Sequence, residues 1–126
     1  MEKFLLISLG AVLGANARYW ISEWAARKLD SVFPHGILLV NLSGSFLLGF
    51  FLTLATERWL LDPRWRILVA VGFFGAYTTF STYTYDSLNL MLKGQVGLGL
   101  LNLLGSSLLG ILAVGAGIFL AKLIAP

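Results

Sequence analysis

The chain has 126 residues, of which 58% are hydrophobic and only 12% are charged. About a quarter of the residues of a soluble globular domain are charged, so this composition excludes a water-soluble domain. Without a cysteine the chain can form neither a disulfide framework nor a thiolate metal site. Its net charge of +3 is typical of loops at lipid headgroups and does not indicate a nucleic-acid partner.

Four stretches without Asp, Glu, Lys or Arg predict an all-α membrane protein with four transmembrane helices. An uncharged apolar stretch of about 18 residues or more can span a bilayer. Three stretches reach this length, and the first does so if Arg18 is tolerated at its end. Arg18, Tyr19 and Trp20 follow this first stretch directly, so we expect a retained helix and not a signal peptide. The predicted spans, about 3–29, 36–56, 66–92 and 95–123, form one transmembrane domain over residues 1–126.

Spans one, two and four carry interface and packing signals. Trp20, Trp24, Arg27 and Lys28 in the second half of span one are typical of the headgroup level. Small residues recur four apart, a spacing that lets helices approach closely in lipid. The three pairs are Gly10 with Gly14, Ser45 with Gly49, and Ser106 with Gly110.

The third span is longer than a bilayer requires. Ile67 to Leu92 would form about 39 Å of helix at 1.5 Å per residue, against a hydrocarbon core of about 30 Å. A glycine followed by a β-branched pair, within residues 75–79, favours a break into half-helices Ile67–Phe74 and Phe80–Leu92. Breaks at membrane depth commonly build ion sites. The alternative is one long tilted helix.

The basic residues give little preference for one orientation in the membrane. Four spans place both termini on one side, and the side with more Lys and Arg normally faces the cytoplasm. Five basic residues fall on the side of the termini and three or four on the other side. The first group is Lys3, Arg58, Arg64, Arg66 and Lys122, and the second is Arg27, Lys28 and Lys93, with Arg18 near that interface. This balance makes antiparallel pairing of two copies plausible.

Polar residues inside the spans indicate a passive path for an anion. Asn41 precedes Ser45 by one turn in span two, and Asn102 precedes Ser106 by one turn in span four. Hydroxyl residues crowd the second half of span three, although any one of them could bond its own helix backbone. No Asp, Glu, Lys or His lies mid-span, whereas a proton-coupled carrier usually needs one. Phe80 and Tyr83 share a helical face, and a positive ring edge can help to solvate an anion.

Three other functions fit the residues less well. A small multidrug exporter would need a membrane-embedded glutamate, and the one candidate, Glu23, lies among interface residues. A non-conducting assembly subunit would explain the small-residue spacing but not the cluster of Thr, Ser and Phe. An enzyme is not supported, because the single histidine, His35, lies in a predicted loop and no nucleophile or metal constellation is visible.

The segment from Gly72 to Thr84, GFFGAYTTFSTYT, resembles the signature of the Fluc (CrcB) family of small bacterial fluoride channels. The resemblance covers essentially the whole chain. Further landmarks are Arg18 after the glycine-rich first helix, Gly36 and the Asn41-Leu42-Ser43-Gly44 segment, and Asn102 with Gly105-Ser106.

The resemblance implies passive fluoride export that gives fluoride resistance, through a dual-topology antiparallel homodimer in the bacterial inner membrane. It implies two pores at the subunit interface and a central structural sodium ion held by the backbone carbonyls of Gly75 and Thr78. Arg18 would have a structural role. The implied pore-lining residues are Asn41, Phe80, Ser81, Thr82, Tyr83, Asn102 and Ser106.

Four positions depart from the family pattern. Tyr83 replaces the usual second phenylalanine, and its hydroxyl could donate to fluoride or disturb the packing of the rings. Ala76 replaces a usual glycine, Ile37 stands where threonine is common, and Leu98 stands where some members carry a tyrosine. These departures leave open that the chain works with a paralogous subunit.

Overall fold

The computed structural model describes residues 1–124, apart from the side chain of Arg58, and these residues form helices and no strand. Four helical segments are long and apolar enough to cross a membrane, which confirms the predicted number of spans. These segments are Glu2–Leu29, His35–Glu57, Pro63–Leu92 and Val96–Ile124. We name the helices α1 (Glu2–Leu29), α2 (His35–Thr53, continued by a π turn Leu54–Arg58), α3 (residues 63–77), α4 (Phe80–Leu92) and α5 (Val96–Ile124).

Local chemistry explains where the helices begin and end. The α1 helix ends at Asp30, which adopts a left-handed conformation with φ 34°. The α3 helix begins at Pro63, because the Asp62 carboxylate accepts the backbone N–H of Arg64 at 2.8 Å. Proline is well suited to a first helical position and aspartate to the cap before it. The third span therefore starts three residues before the predicted residue 66. Gly94, with φ 82°, makes the turn between α4 and α5.

Glycines set the close packing of the helices. The α1 helix packs on α2 and α3, and α2 packs on α5. A methyl group on Gly10 or Gly14 would overlap the α3 backbone, and one on Gly117 would overlap the backbone of Phe46 in α2. A methyl group on Gly49 would overlap the backbone of Val114 in α5, whereas one on Gly110 would lie 3.9 Å from the Ser45 Oγ, an ordinary contact distance. The predicted close packing is therefore confirmed for Gly10, Gly14 and Gly49, whereas the space at Gly110 would accommodate a methyl group.

Two ion pairs lie at one end of the bundle. Glu2 pairs with Arg64 at 2.6 Å, and Glu57 pairs with Lys122 at 3.8 Å. All four side chains are more than half exposed, so the pairs contribute little to stability. Their positions nevertheless bring the start of α1, the connection between α2 and α3, and the end of α5 to the same end. This is the arrangement that four spans require.

The third span is broken at Thr78 and Thr79. Both residues are extended, with φ −82° and ψ 157° at Thr78 and φ −146° and ψ 122° at Thr79. The break, and not the long tilted helix, is therefore what the chain forms. The first half-helix continues to Tyr77 and not only to the predicted Phe74, because Gly75 keeps helical angles of −61° and −33°. The two halves have different partners: α3 packs on α1, and α4 packs on the beginning of α5.

Candidate functional site at the broken helix

A groove of about 380 Å³ lies beside the break. Its walls come from α2, from the break with the first turn of α4, and from the middle of α5. None of its lining residues is Asp, Glu, Lys, Arg or His, so the groove offers neutral hydrogen-bond donors and apolar surface. The lining residues are Asn41, Ser45, Leu48, Thr78, Thr79, Phe80, Tyr83, Ser106, Ser107, Gly110, Ile111 and Val114.

Asn41 holds the broken backbone in place. Its Nδ2 donates to the carbonyl of Thr79 at 3.0 Å, and its Oδ1 accepts the N–H of the same residue at 2.8 Å. Thr79 therefore has both backbone groups satisfied by a side chain of α2 instead of by a helical turn. An amide nitrogen has two N–H donors, so Asn41 keeps a second donor at the groove. Asn41 therefore has a structural role in addition to its predicted pore-lining role.

The groove lies at the N-terminus of α4. Thr79 caps this helix, because its Oγ1 accepts the N–H of Thr82 at 3.3 Å and donates to the Thr82 hydroxyl at 3.1 Å. The Ser81 hydroxyl lies 3.4 Å from the same Oγ1. The N-terminus of a helix carries a partial positive charge and unpaired N–H groups. An anion in the groove would therefore meet a favourable field.

Phe80 and Tyr83 form an aromatic pair at the groove. Their ring centroids lie 5.8 Å apart and their planes are inclined by 55°. Phe80 is 78% exposed, whereas Tyr83 is 7% exposed. The Tyr83 hydroxyl donates to the carbonyl of Leu103 and lies 2.8 Å from the Ser107 Oγ. This hydroxyl therefore joins α4 to α5 while the two rings stay paired.

Not all of the sequence-predicted residues meet at the groove. Asn41, Phe80, Tyr83 and Ser106 line it, whereas Ser81, Thr82 and Asn102 do not. Arg18 lies half-buried in α1, away from the groove.

Asn102 is buried between helices. It is only 2% exposed, and its Nδ2 donates to the Ser87 Oγ at 2.9 Å. Its Oδ1 accepts the Ser106 hydroxyl at 3.0 Å. Asn102 therefore joins α5 to α4 in this single chain, because its side chain faces α4 and not the groove.

The carbonyls of Gly75 and Thr78 fit a sodium ion in their chemistry. The N–H of Thr79 would close a helical turn on the Gly75 carbonyl, but it bonds Asn41 instead. The end of α3 thus leaves neutral backbone oxygens without that helical donor, and such half-helix ends coordinate Na⁺ in other membrane proteins. A single chain offers few such oxygens, so a shared site would need a second copy. Within residues 1–124, no group of three or more His, Cys, Asp or Glu could hold another metal.

Ser107, Ser45 and Thr79 are groove residues that the sequence did not single out as pore-lining. Ser107 directly follows Ser106, which was predicted to line the pore. Both residues are serine, so only the direction in which each faces on the helix distinguishes them. A π turn at Leu101–Gly105 changes which side chains of α5 face α2 and α4. The pair of serines after Gly105 was the available signal, but the π turn is not visible in the sequence.

Comparison with known proteins gives one family. The sequence model described as CrcB-like protein, Camphor Resistance (CrcB), matches residues 5–118. A relative named fluoride-specific ion channel FluC, from Koribacter versatilis, is 48% identical, covering 93% of this chain and 94% of the relative. Relatives of the same name from Synechococcus and Sulfurihydrogenibium are 45% and 43% identical, covering 93% and 98% of this chain and 90% and 100% of their own lengths.

These findings confirm the family that the sequence resembles, which is one of ion channels, and the prediction that the chain is not an enzyme. With four apolar helices, the chain is a multi-pass membrane protein, for which a bacterial inner membrane is the expected location. The chain belongs to the CrcB family.

Proposed function

We propose that this chain is a fluoride-selective channel that exports fluoride passively from the cytoplasm and so gives fluoride resistance. The observation that carries the proposal is the uncharged groove at the break, where hydroxyls, an amide and two aromatic rings surround the N-terminus of α4. Fluoride is small and strongly hydrated, so donors and positive ring edges at close range must replace its water. Without a protonatable acid or base in the groove, passive flow is favoured over proton coupling.

The proposed channel is an antiparallel, dual-topology homodimer with two pores along the subunit interface. The groove is open on one side, and Phe80 beside it is 78% exposed. A second copy would cover this aromatic side chain and complete the wall of each pore. The nearly balanced basic residues on the two sides support insertion in both orientations.

A central sodium ion is the proposed cofactor. The carbonyls of Gly75 and Thr78 from both copies would hold it, and it would supply positive charge between the two anion paths. The carbonyls at the end of α3 support this assignment, because half-helix ends suit Na⁺.

The first test is fluoride efflux from liposomes that contain the purified protein, followed with a fluoride electrode and with chloride as the control. We expect rapid fluoride release with negligible chloride release. Replacing Na⁺ by N-methylglucamine from purification onward is expected to lower the flux, and restoring Na⁺ to recover it. Absence of release from well-folded protein would contradict the homodimer and favour a paralogous partner. Full flux without Na⁺ would remove the ion from the proposal.

Dual topology can be tested with single cysteines, because the chain has none of its own. Lys93→Cys lies in the turn between α4 and α5, and Lys3→Cys lies at the opposite end of the bundle. In sealed cells, a membrane-impermeant maleimide is expected to label about half of the copies of each variant, because neither orientation has a strong charge bias. Complete labelling of one variant with none of the other would show a single orientation.

A further inference from the structure

Three oxygen atoms form a triangle where α4 meets α5 at the edge of the groove. The Tyr83 hydroxyl donates to the Leu103 carbonyl. The Ser107 Oγ lies 2.8 Å from the tyrosine oxygen and donates to the same carbonyl at 2.9 Å. Tyr83 is buried, whereas Ser107 is exposed and lines the groove.

The number of protons in this triangle decides what each hydroxyl can do. A carbonyl only accepts, and each hydroxyl has one proton to donate. Tyr83 gives its proton to Leu103, so this carbonyl is satisfied without Ser107. The Ser107 proton can then turn toward the groove while the carbonyl keeps its bond from Tyr83.

We infer that Ser107 is a fluoride-contacting residue of this channel, and that Tyr83 is the positioning residue that frees its hydroxyl. The inference rests on the proposed fluoride channel. A hydroxyl that rotates on a short side chain can donate to an anion as it arrives and return to the tyrosine oxygen when it leaves. The tyrosine thus contributes its ring to the aromatic pair and its hydroxyl to the support of Ser107.

This arrangement gives a physical reason for tyrosine at position 83. If phenylalanine stood at position 83, the Ser107 hydroxyl would be the remaining side-chain donor to the Leu103 carbonyl. Serines commonly donate to the carbonyl four residues before them in a helix. Turning toward an ion would then break that bond. The tyrosine removes this competition between the carbonyl and the ion for the Ser107 proton. Loss of the Tyr83 hydroxyl should therefore lower fluoride flux only in a chain that keeps the Ser107 hydroxyl.

Two variants of nearly equal shape test the contact. Ser107→Thr keeps the hydroxyl, and Ser107→Val replaces it with a methyl group. We expect the threonine variant to conduct fluoride within about twofold of the unchanged chain, and the valine variant to lose about tenfold, because a hydrogen bond to a charged group is stronger than a neutral one. Ser107→Ala, which is smaller, should also lose about tenfold. Equal flux in all three variants, whether high or low, would overturn the assignment.

The role of Tyr83 is tested by coupling. Tyr83→Phe should lower fluoride flux about threefold in the unchanged chain, the size of a typical hydrogen bond, but should add no loss to Ser107→Ala. Additive losses would overturn the positioning role. Tyr85→Phe, on the same helix with its side chain 68% exposed and outside the groove, is the matched control and should not change the flux.

The failure of this inference can be told apart from failure of the proposed function. If the unchanged chain shows no fluoride flux, the proposed function itself fails. If the unchanged chain conducts and Ser107→Val conducts equally well, only the role of Ser107 fails. Size-exclusion chromatography of each variant separates loss of flux from loss of folded protein.

Discussion

Phe80→Ile is expected to reduce fluoride efflux to the level of protein-free liposomes while the protein still folds and assembles. Phe80 lies at the break, lines the groove and contacts the ring of Tyr83. Isoleucine keeps an apolar side chain there but removes the ring, with the positive edge that can help to solvate an anion. The measurement is electrode-detected efflux, together with size-exclusion chromatography of the purified variant.

Phe119→Ile is the matched control for this change. Phe119 is 65% exposed on α5 and does not line the groove, so its replacement should leave fluoride efflux as it is. Unchanged flux in Phe80→Ile would remove Phe80 from the pore. Loss of flux in both variants would point to a general effect of exposed phenylalanines on the fold.

The sequence predicted the spans well because charged residues delimit them. The predicted span 3–29 begins one residue after the helical segment Glu2–Leu29 and ends at the same residue. The predicted span 95–123 differs by one residue at each end from Val96–Ile124. The start of the third span was less well predicted. Arg64 and Arg66 suggested a loop, whereas the cap at Asp62 starts a helix that contains both arginines. The break was predicted from glycine and β-branched residues, but Gly75 proved compatible with helix.

The candidate site was predicted less completely than the fold. Residues next to the break, such as Phe80 and Tyr83, lie at the groove because the break itself defines its position, and their pore-lining role stays a prediction. On α5 the facing direction depends on the π turn at Leu101–Gly105, so Asn102 could not be assigned to α4 or Ser107 to the groove from spacing. The clamp between Asn41 and Thr79 joins residues far apart in the chain, and single-sequence patterns do not reveal such pairs.

Asn41→Leu is expected to abolish fluoride efflux and to lower the thermal stability of the protein. Leucine has nearly the same shape as asparagine but cannot bond the N–H and carbonyl of Thr79. Each buried backbone group left without a partner costs roughly 1–3 kcal/mol. With that clamp removed, the extended conformation at Thr79 loses its support from α2, so the cap and the start of α4 should shift. Thermal unfolding in detergent and efflux from liposomes measure the two effects.

Two further variants separate the clamp from a general effect of the substitution. Asn16→Leu makes the same change on the exposed surface of α1, where the amide bonds only its own helix at Val12, so both measurements should stay unchanged. Asn41→Asp keeps an acceptor for the Thr79 N–H but loses the donor to its carbonyl, and it brings a negative charge to the groove. It should therefore lose flux through repulsion of the anion as well as through the clamp. If Asn41→Leu kept both its flux and its stability, the break would be held by the neighbouring helices alone, and Asn41 would have no role in positioning the groove.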